Sequence, residues 1–325
     1  MGERVGVRVG LGAAAVFAAA VLWGTVGPAQ VLAEASIDAT TLGAARLLVG
    51  GLALLVVVPL LDHPARGRWA ALARGSALRW LVLAAVSTAA YQAAFLSSVE
   101  RTGAALATVV ALGVAPPAVG VMARAIGAER LTRSWLLGTG AAVVGTTLLL
   151  LPGASGGIDA IGIGLGIIGG LCYGVYTVSA KVLLDGPAPT FAAVALTLVL
   201  GGAVLLPFAR LDGTLLTEPG TVLLIAWLAI PATAGGYVLF VAGLRHISAA
   251  TAGTLSLAEP LVAVVLGVAF LGERMSLIAT VGAVVLLTGL VAVTAPRHAG
   301  RGTSAPQDLT VPVTDSDVLQ GHHVR

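Results

Sequence analysis

Residues 247–271 read ISAATAGTLSLAEPLVAVVLGVAFL, and residues 103–126 read GAALATVVALGVAPPAVGVMARAI. Each is long enough to cross a bilayer as a helix, which takes about 20 mostly apolar residues. Neither has a polar face that water could solvate. A shift of 144 residues sets Pro116 opposite Pro260. The same shift sets Glu129 opposite Glu273, Arg130 opposite Arg274, Gly138 opposite Gly282 and Gly145 opposite Gly289. Matches of Ala, Val or Leu carry no weight in so apolar a chain. A proline, an acidic–basic pair and two glycines in one order and spacing are the mark of an internal repeat. Upstream, Tyr91 and Tyr237 take similar places once a small gap is allowed.

The rest of the chain has the same character. Apolar residues make up 58% and charged residues 10% of the 325, and the mean hydropathy is +1.00. A soluble domain is about 25% charged, so lipid must be the solvent around most of this surface. The single cysteine, Cys172, excludes a disulfide framework, a Cys-rich zinc site and a CxxC redox motif. His63, His246, His298, His322 and His323 form no HExxH, and the adjacent tail pair reads as a solvated end. No metal or other cofactor is expected. The positive charge is scattered between apolar runs, not gathered on one face, so nucleic acid is not an expected partner.

Ten spans can be read, over 9–32, 38–61, 79–98, 103–126, 134–152, 158–180, 189–209, 220–242, 247–271 and 276–295. Arg4 and Arg8 ahead of an apolar run could open a signal peptide. That run is longer than the usual h-region, so it reads as a retained helix. Residues 1–8 form a short cytoplasmic N-terminus, and the polar tail 296–325 reads as a disordered cytoplasmic end. With the N-terminus inside, only Arg101, Arg210 and Arg274 of the 18 Lys and Arg fall on the outer side, and Arg46 lies within span two. This asymmetry supports both the count and an orientation with both termini cytoplasmic, and the Ala, Gly, Val, Leu and Arg bias suggests a bacterial plasma membrane. Trp80 and Trp135, at inner span ends, fit interfacial anchors.

The repeat divides the spans into 9–152 and 153–295, five in each. An odd number inverts the second half, giving an all-α integral membrane fold of two inverted five-helix repeats, a recurring transporter architecture.

Several short motifs add a resemblance. They are Trp23-Gly24, Arg46, Pro116 with Gly127-Ala128-Glu129-Arg130-Leu131, Leu257-Ala258-Glu259-Pro260, and Leu271-Gly272-Glu273-Arg274-Met275. In order and spacing, over about residues 9–295, the chain resembles the drug/metabolite transporter superfamily with EamA-type repeats. The resemblance implies ten helices, cytoplasmic termini and a central cavity between the repeats. It implies small-molecule cargo, from amino acids and sugars to nucleotides and drugs.

Glu259 is the sharpest candidate for chemistry. Carboxylates deep in a span are costly and usually face a pathway, and Pro260 beside it disrupts the helix. The two together suit a cation, an amine or a proton. A structural carboxylate bonded to a neighbouring helix is the alternative. Arg46, roughly 12 Å into span two, fits an anion site, an ion pair (Glu34 being one partner) or a side chain snorkelling outward. Trp23, Tyr91, Gln92, Tyr173, Tyr176, Trp227 and Tyr237 are candidate cavity linings, each with packing as the alternative. Pro116 and Pro260 are candidate helix breaks. Gly162, Gly166, Gly170 and Gly174 form a bare stripe for close helix packing. Glu129-Arg130 and Glu273-Arg274 are expected to cap the next helix or pair locally, with gating as the alternative.

The expected function is export of a small metabolite or drug-like compound by alternating access, with protons as a candidate coupling ion. A membrane-embedded enzyme is the rival, but no catalytic triad or metal motif is visible. A non-transporting scaffold is the other rival.

Overall fold

The computed structural model describes residues 2–34, 37–62, 69–154, 158–210 and 218–294. The tail over 296–325 and the loop arginines Arg66 and Arg68 lie outside the described residues. Among the described residues ten apolar helices are long enough to span a membrane. They are α1 (Gly6–Ala33), α2 (Ala39–Leu61), α3 (Gly75–Thr102), α4 (Ala104–Ala125) and α5 (Arg133–Gly153). The second five are α6 (Ala160–Asp185), α7 (Thr190–Phe208), α8 (Pro219–Leu244), α9 (Ala249–Phe270) and α10 (Leu277–Thr294). A short helix, Trp69–Leu72, leads into α3. The helix at the N-terminus begins at Gly2, so most of the segment expected as a separate N-terminus is helical. Helices α3 and α6 also run past the apolar windows, because polar residues at a span end can extend a helix into the interface.

The outside of the bundle carries large exposed apolar side chains on every span, such as Val56, Leu137, Leu223 and Leu277. In water these would cost roughly 25 cal/mol per Å²; against lipid they cost nothing. Inside, small residues dominate. The buried positions include Ala19, Ala44, Ala107, Ala142, Ala195, Ala252 and Ala258. Without a hydrophobic drive between helices in lipid, close backbone approach and dispersion hold such a bundle together.

The repeat is visible in the packing. A Cβ on Gly145 would run into the Leu286 backbone and Gly282 O, and one on Gly282 would run into Leu149 N and Gly145 O. Gly138 faces Gly289 O, and Gly289 faces Gly138 O. These two contacts exchange under the repeat shift. The α5–α10 crossing is therefore self-complementary and antiparallel, as a two-fold pseudo-axis in the membrane plane requires. The halves interlock elsewhere. Helix α2 packs on α7, where Gly51 meets Val199 and Gly202 meets Leu48. Helix α1 packs on α8 and α9 of the other half, while α6 packs on α3 and α4. The glycine stripe of α6 makes the last contact: Gly166 faces Val110, Gly170 faces Ala111 and Val114, and Gly174 faces Ala118.

That stripe also corrects one expectation. Pro116 does not break its helix, and α4 continues from Ala104 to Ala125 through Pro116 and Pro117. The α6 glycines clamp α4 on both sides of the prolines. Trp135 is another correction. It is buried over Gly120 rather than held at an interface.

The near end of the bundle is taken here as the one where α1 begins, and the far end as the other. At the far end Asp159 caps α6, accepting the Gly162 N–H at 2.8 Å. That bond, with Arg101 alongside at 3.5 Å, holds its carboxyl below the usual carboxylate range. The cap is complete above the ordinary carboxylate pKa and is lost as pH falls through the lowered one.

The α5–α10 crossing gives a direct prediction. Gly145→Val forces the helices apart and lowers stability by about 1–3 kcal/mol. Gly140→Val, a position open to space, changes it by less than about 0.5 kcal/mol. Thermal melting in detergent measures both.

Candidate functional site

Three helices are irregular, and the irregular turns lie together. Helix α1 is interrupted at Thr25, between Gly2–Gly24 and Val26–Ala33. The Thr25 hydroxyl donates to Leu22 O at 2.6 Å in place of a regular ladder bond. Helix α9 is interrupted at Ser256-Leu257, between Ala249–Leu255 and Ala258–Phe270. Pro260 has no N–H to offer Ser256 O, so the Glu259 N–H takes it at 3.0 Å. Pro260 is thus a helix-break residue in fact, with the break just ahead of it. Helix α8 widens into a π-helical run, Leu228–Gly235, around Pro231. Such turns inside a helix often accompany functional sites. Gly24 brings two of the irregularities into contact, since a Cβ there would lie 2.7 Å from Glu259 O.

Beside these turns lies a cavity of about 180 Å³. Of the nine candidate lining residues named from sequence, Trp23, Arg46, Tyr91, Gln92, Tyr173, Tyr176, Tyr237 and Glu259 line it. Trp227 does not. It sits on the exposed side of α8 and donates its indole N–H to the Thr25 hydroxyl at 3.0 Å. Its place in the sequence is apolar on both sides, so periodicity could not tell an inward tryptophan from an outward one. The wall also includes Gln30, Thr88, Phe95 and Thr108, which the sequence reading passed over. Gln30 carried a signal, because it and Gln92 are the glutamines within the spans.

The wall is aromatic. Tyr237 lies edge-on to Trp23 at 5.5 Å and to Tyr176 at 5.6 Å between ring centres. Tyr91 stacks on Phe95 at 5.7 Å. Tyr173 donates its hydroxyl to Ser256 Oγ at 2.6 Å, tying α6 to the break in α9. Ring faces attract cations and ring edges pack closely.

Arg46 and Glu259 share this wall without pairing: no ion pair within 4 Å joins them, nor joins Arg46 to Glu34. Arg46 thus lines the cavity rather than forming the expected ion pair. Its buried Nε, the Trp23 Nε1 and the Tyr176 hydroxyl have no hydrogen-bond partner. Buried polar atoms are normally satisfied, and these three belong to residues of the cavity wall, where a solute or water could bond them.

The lining residues lie mostly toward the far end. Ala39 to Arg46 open α2, Thr108 and Leu112 fall in the first half of α4, and Tyr91 to Leu96 fall in the second half of α3. The near side is packed shut around Phe240, Leu244 and Ala252, all buried. Glu129 and its partners also lie there. Its carboxylate does not cap the next helix, as expected, but accepts from the Ala249 and Ala250 N–H groups of α9. Among the described residues no cluster of His, Cys, Asp or Glu is suited to a metal.

Comparison with known proteins agrees with this fold. A sequence model described as the EamA-like transporter family matches residues 10–151 and again 160–295. The chain is 34% identical over 283 residues to "Uncharacterized transporter YwfM" of Bacillus subtilis, covering 86% of this chain and 92% of that protein. It is 30% identical over 284 residues to "Uncharacterized inner membrane transporter YicL" of Salmonella typhimurium, covering 85% and 92%. A crystal structure at 20% identity superposes with a TM-score of 0.72, over 87% of this chain and 96% of that one, and shows the same fold.

The contact between broken helices can be tested. Gly24→Val, which drives a branched side chain into the Glu259 backbone and Val262, is expected to cut flux in proteoliposomes more than about tenfold. Gly27→Val, facing open space, keeps flux near wild type.

Proposed function

The chain belongs to the EamA-like transporter family, and from that premise we propose that it exports a small amphoteric compound in exchange for protons, by alternating access. As a multi-pass membrane transporter it carries a small-molecule substrate across a lipid bilayer. The finer reading rests on one observation: Glu259 and Arg46 line one aromatic cavity as unpaired opposite charges.

An unpaired carboxylate among tyrosine and tryptophan rings suits an ammonium group. An unpaired guanidinium across the same cavity suits a carboxylate or another planar acceptor, which it can grip with two parallel bonds. A solute carrying both groups would neutralise both residues at once. This supports an amphoteric cargo over a neutral one, because a neutral cargo would leave two desolvated charges behind.

The same carboxylate can hold a proton or the cationic end of the cargo, but not both. That competition supports obligatory exchange. The positive-inside pattern supports placing the far end, and with it the cavity, on the outer face. A proton arriving from an acidic exterior would then displace cargo outward, which gives the direction of export. The site lies between halves related by a pseudo-two-fold axis, and rocking of such halves is the usual basis of alternating access.

The test is flux in proteoliposomes carrying an imposed pH gradient, with amphoteric compounds as cargo. Glu259→Gln is expected to lose at least about tenfold of gradient-driven flux, while Arg46→Gln raises KM for cargo about tenfold or more. If Glu259→Gln kept full gradient-driven flux, the proton role would be lost. If uncharged analogues moved as well as amphoteric ones, the cargo assignment would be lost.

A further inference from the structure

Glu129 and Glu273 stand on equivalent backbone yet hold different things. The Glu129 N–H bonds Ala123 O at 3.3 Å, and the Glu273 N–H bonds Gly267 O at 3.2 Å. Both pairs are related by the repeat shift. The Glu129 carboxylate crosses to the other half and accepts the Ala249 N–H at 2.5 Å and the Ala250 N–H at 3.1 Å, closing the first turn of α9 at the near end. The shift carries Ala249 and Ala250 onto Ala105 and Leu106, in the first turn of α4 at the far end. There the N-cap is Gly103, which makes no side-chain cap bond. First-turn N–H groups have no partner within their own helix, so these two stand free. Glu273 is exposed, and its carboxylate rests over Gly267. The near end is therefore latched, the far end carries the same parts unlatched, and the cavity lies on the unlatched side.

We propose that Glu129 and Glu273 are alternate latches that set which end of the transporter is closed. In the opposite arrangement Glu273 accepts the Ala105 and Leu106 N–H groups and closes the far end. Glu129 then releases α9, and the near end opens. The proposal rests on the alternating-access reading above. Both glutamates are positioning residues, since neither lines the cavity. The pairing of α2 with α7 gives a contrast. It is clamped at both ends, by the Asp62 carboxylate accepting from the Ala192 N–H at 3.0 Å and by the Arg210 N–H donating to the Thr41 hydroxyl at 2.8 Å. The glutamate pair, by contrast, is engaged at the near end and not at the far end. Gly267 fits the same scheme. Its repeat partner is Ala123, and a Cβ at 267 would occupy the place where the Glu273 carboxylate rests.

The test uses the full chain with Cys172→Ala, reconstituted in vesicles of known orientation. A single cysteine replaces Thr108 in the cavity, or its repeat partner Ala252, buried behind the near latch. A membrane-impermeant thiol reagent gives the two labelling rates. Glu129→Gln is expected to slow labelling at 108 and speed it at 252, moving their ratio about fivefold or more. Glu273→Gln moves the ratio the opposite way and slows turnover. Gly267→Ala, which displaces the resting carboxylate, moves it in the Glu129→Gln direction. A purely structural role would change both rates alike. Glu273 makes no side-chain bond in this arrangement, so its variant folds and keeps the test sharp should Glu129→Gln fail to fold. The proposal is overturned if Glu273→Gln leaves ratio and turnover at wild-type values, or if both glutamine variants shift the ratio in one direction. A wild-type protein that turns over cargo while position 252 never labels sinks alternating access itself, and the latches with it.

Discussion

In hydrocarbon, every backbone N–H and C=O must find a partner inside the protein, so a spanning helix can come apart only where it faces protein or a cavity. That constraint organises this molecule. Helices α1, α8 and α9 depart from regular geometry at Thr25, at Leu228–Gly235 and at Ser256-Leu257. Trp23, Tyr237 and Glu259, close to those departures, line the cavity. Substitute bonds from the Thr25 hydroxyl and the Glu259 N–H keep the interrupted ladders satisfied. Regular helices surround them, held at short range by glycine and alanine, and the α5–α10 crossing joins the two halves back to back.

Much of this was legible in the sequence, for physical reasons. Span positions follow from transfer energetics, which depend on composition alone, so the ten helices could be read directly. The repeat could be read because proline, glycine and charged residues are conspicuous in an Ala, Val and Leu background. The aromatic wall could be read because tyrosine is rare within the spans. The helix breaks were less legible. Pro116 looks like Pro260 locally, but its helix continues through it, packed against Gly170 and Gly174 of α6. Pro231, inside the π-helical run of α8, was not read as a source of irregularity. Trp227 was placed inward although its indole bonds Thr25 on the exposed side. The partner of Glu129 was not legible at all, because Ala249 and Ala250 come to it only through the interlocking of the halves.

The repeat is symmetric in its scaffold and asymmetric in its chemistry. Ala115 stands where the second half has Glu259, so the cavity has one deep carboxylate rather than two. In the proposed cycle the scaffold takes two arrangements of similar packing, and the one acidic group senses what occupies the centre. A transporter needs both properties. Without symmetry the two arrangements would differ too much in energy. Without the single acid, occupancy would not bias them.

The most direct measurement is a distance distribution across the far end. Spin labels at Leu32 on α1 and Glu100 on α3, both exposed, would be read by double electron–electron resonance in lipid, with Cys172 replaced. Two populations are predicted for the wild type, one with the far end open as described here and one shorter. Their ratio should shift when Glu259→Gln mimics the protonated acid. A single distance that this substitution does not alter would contradict the account.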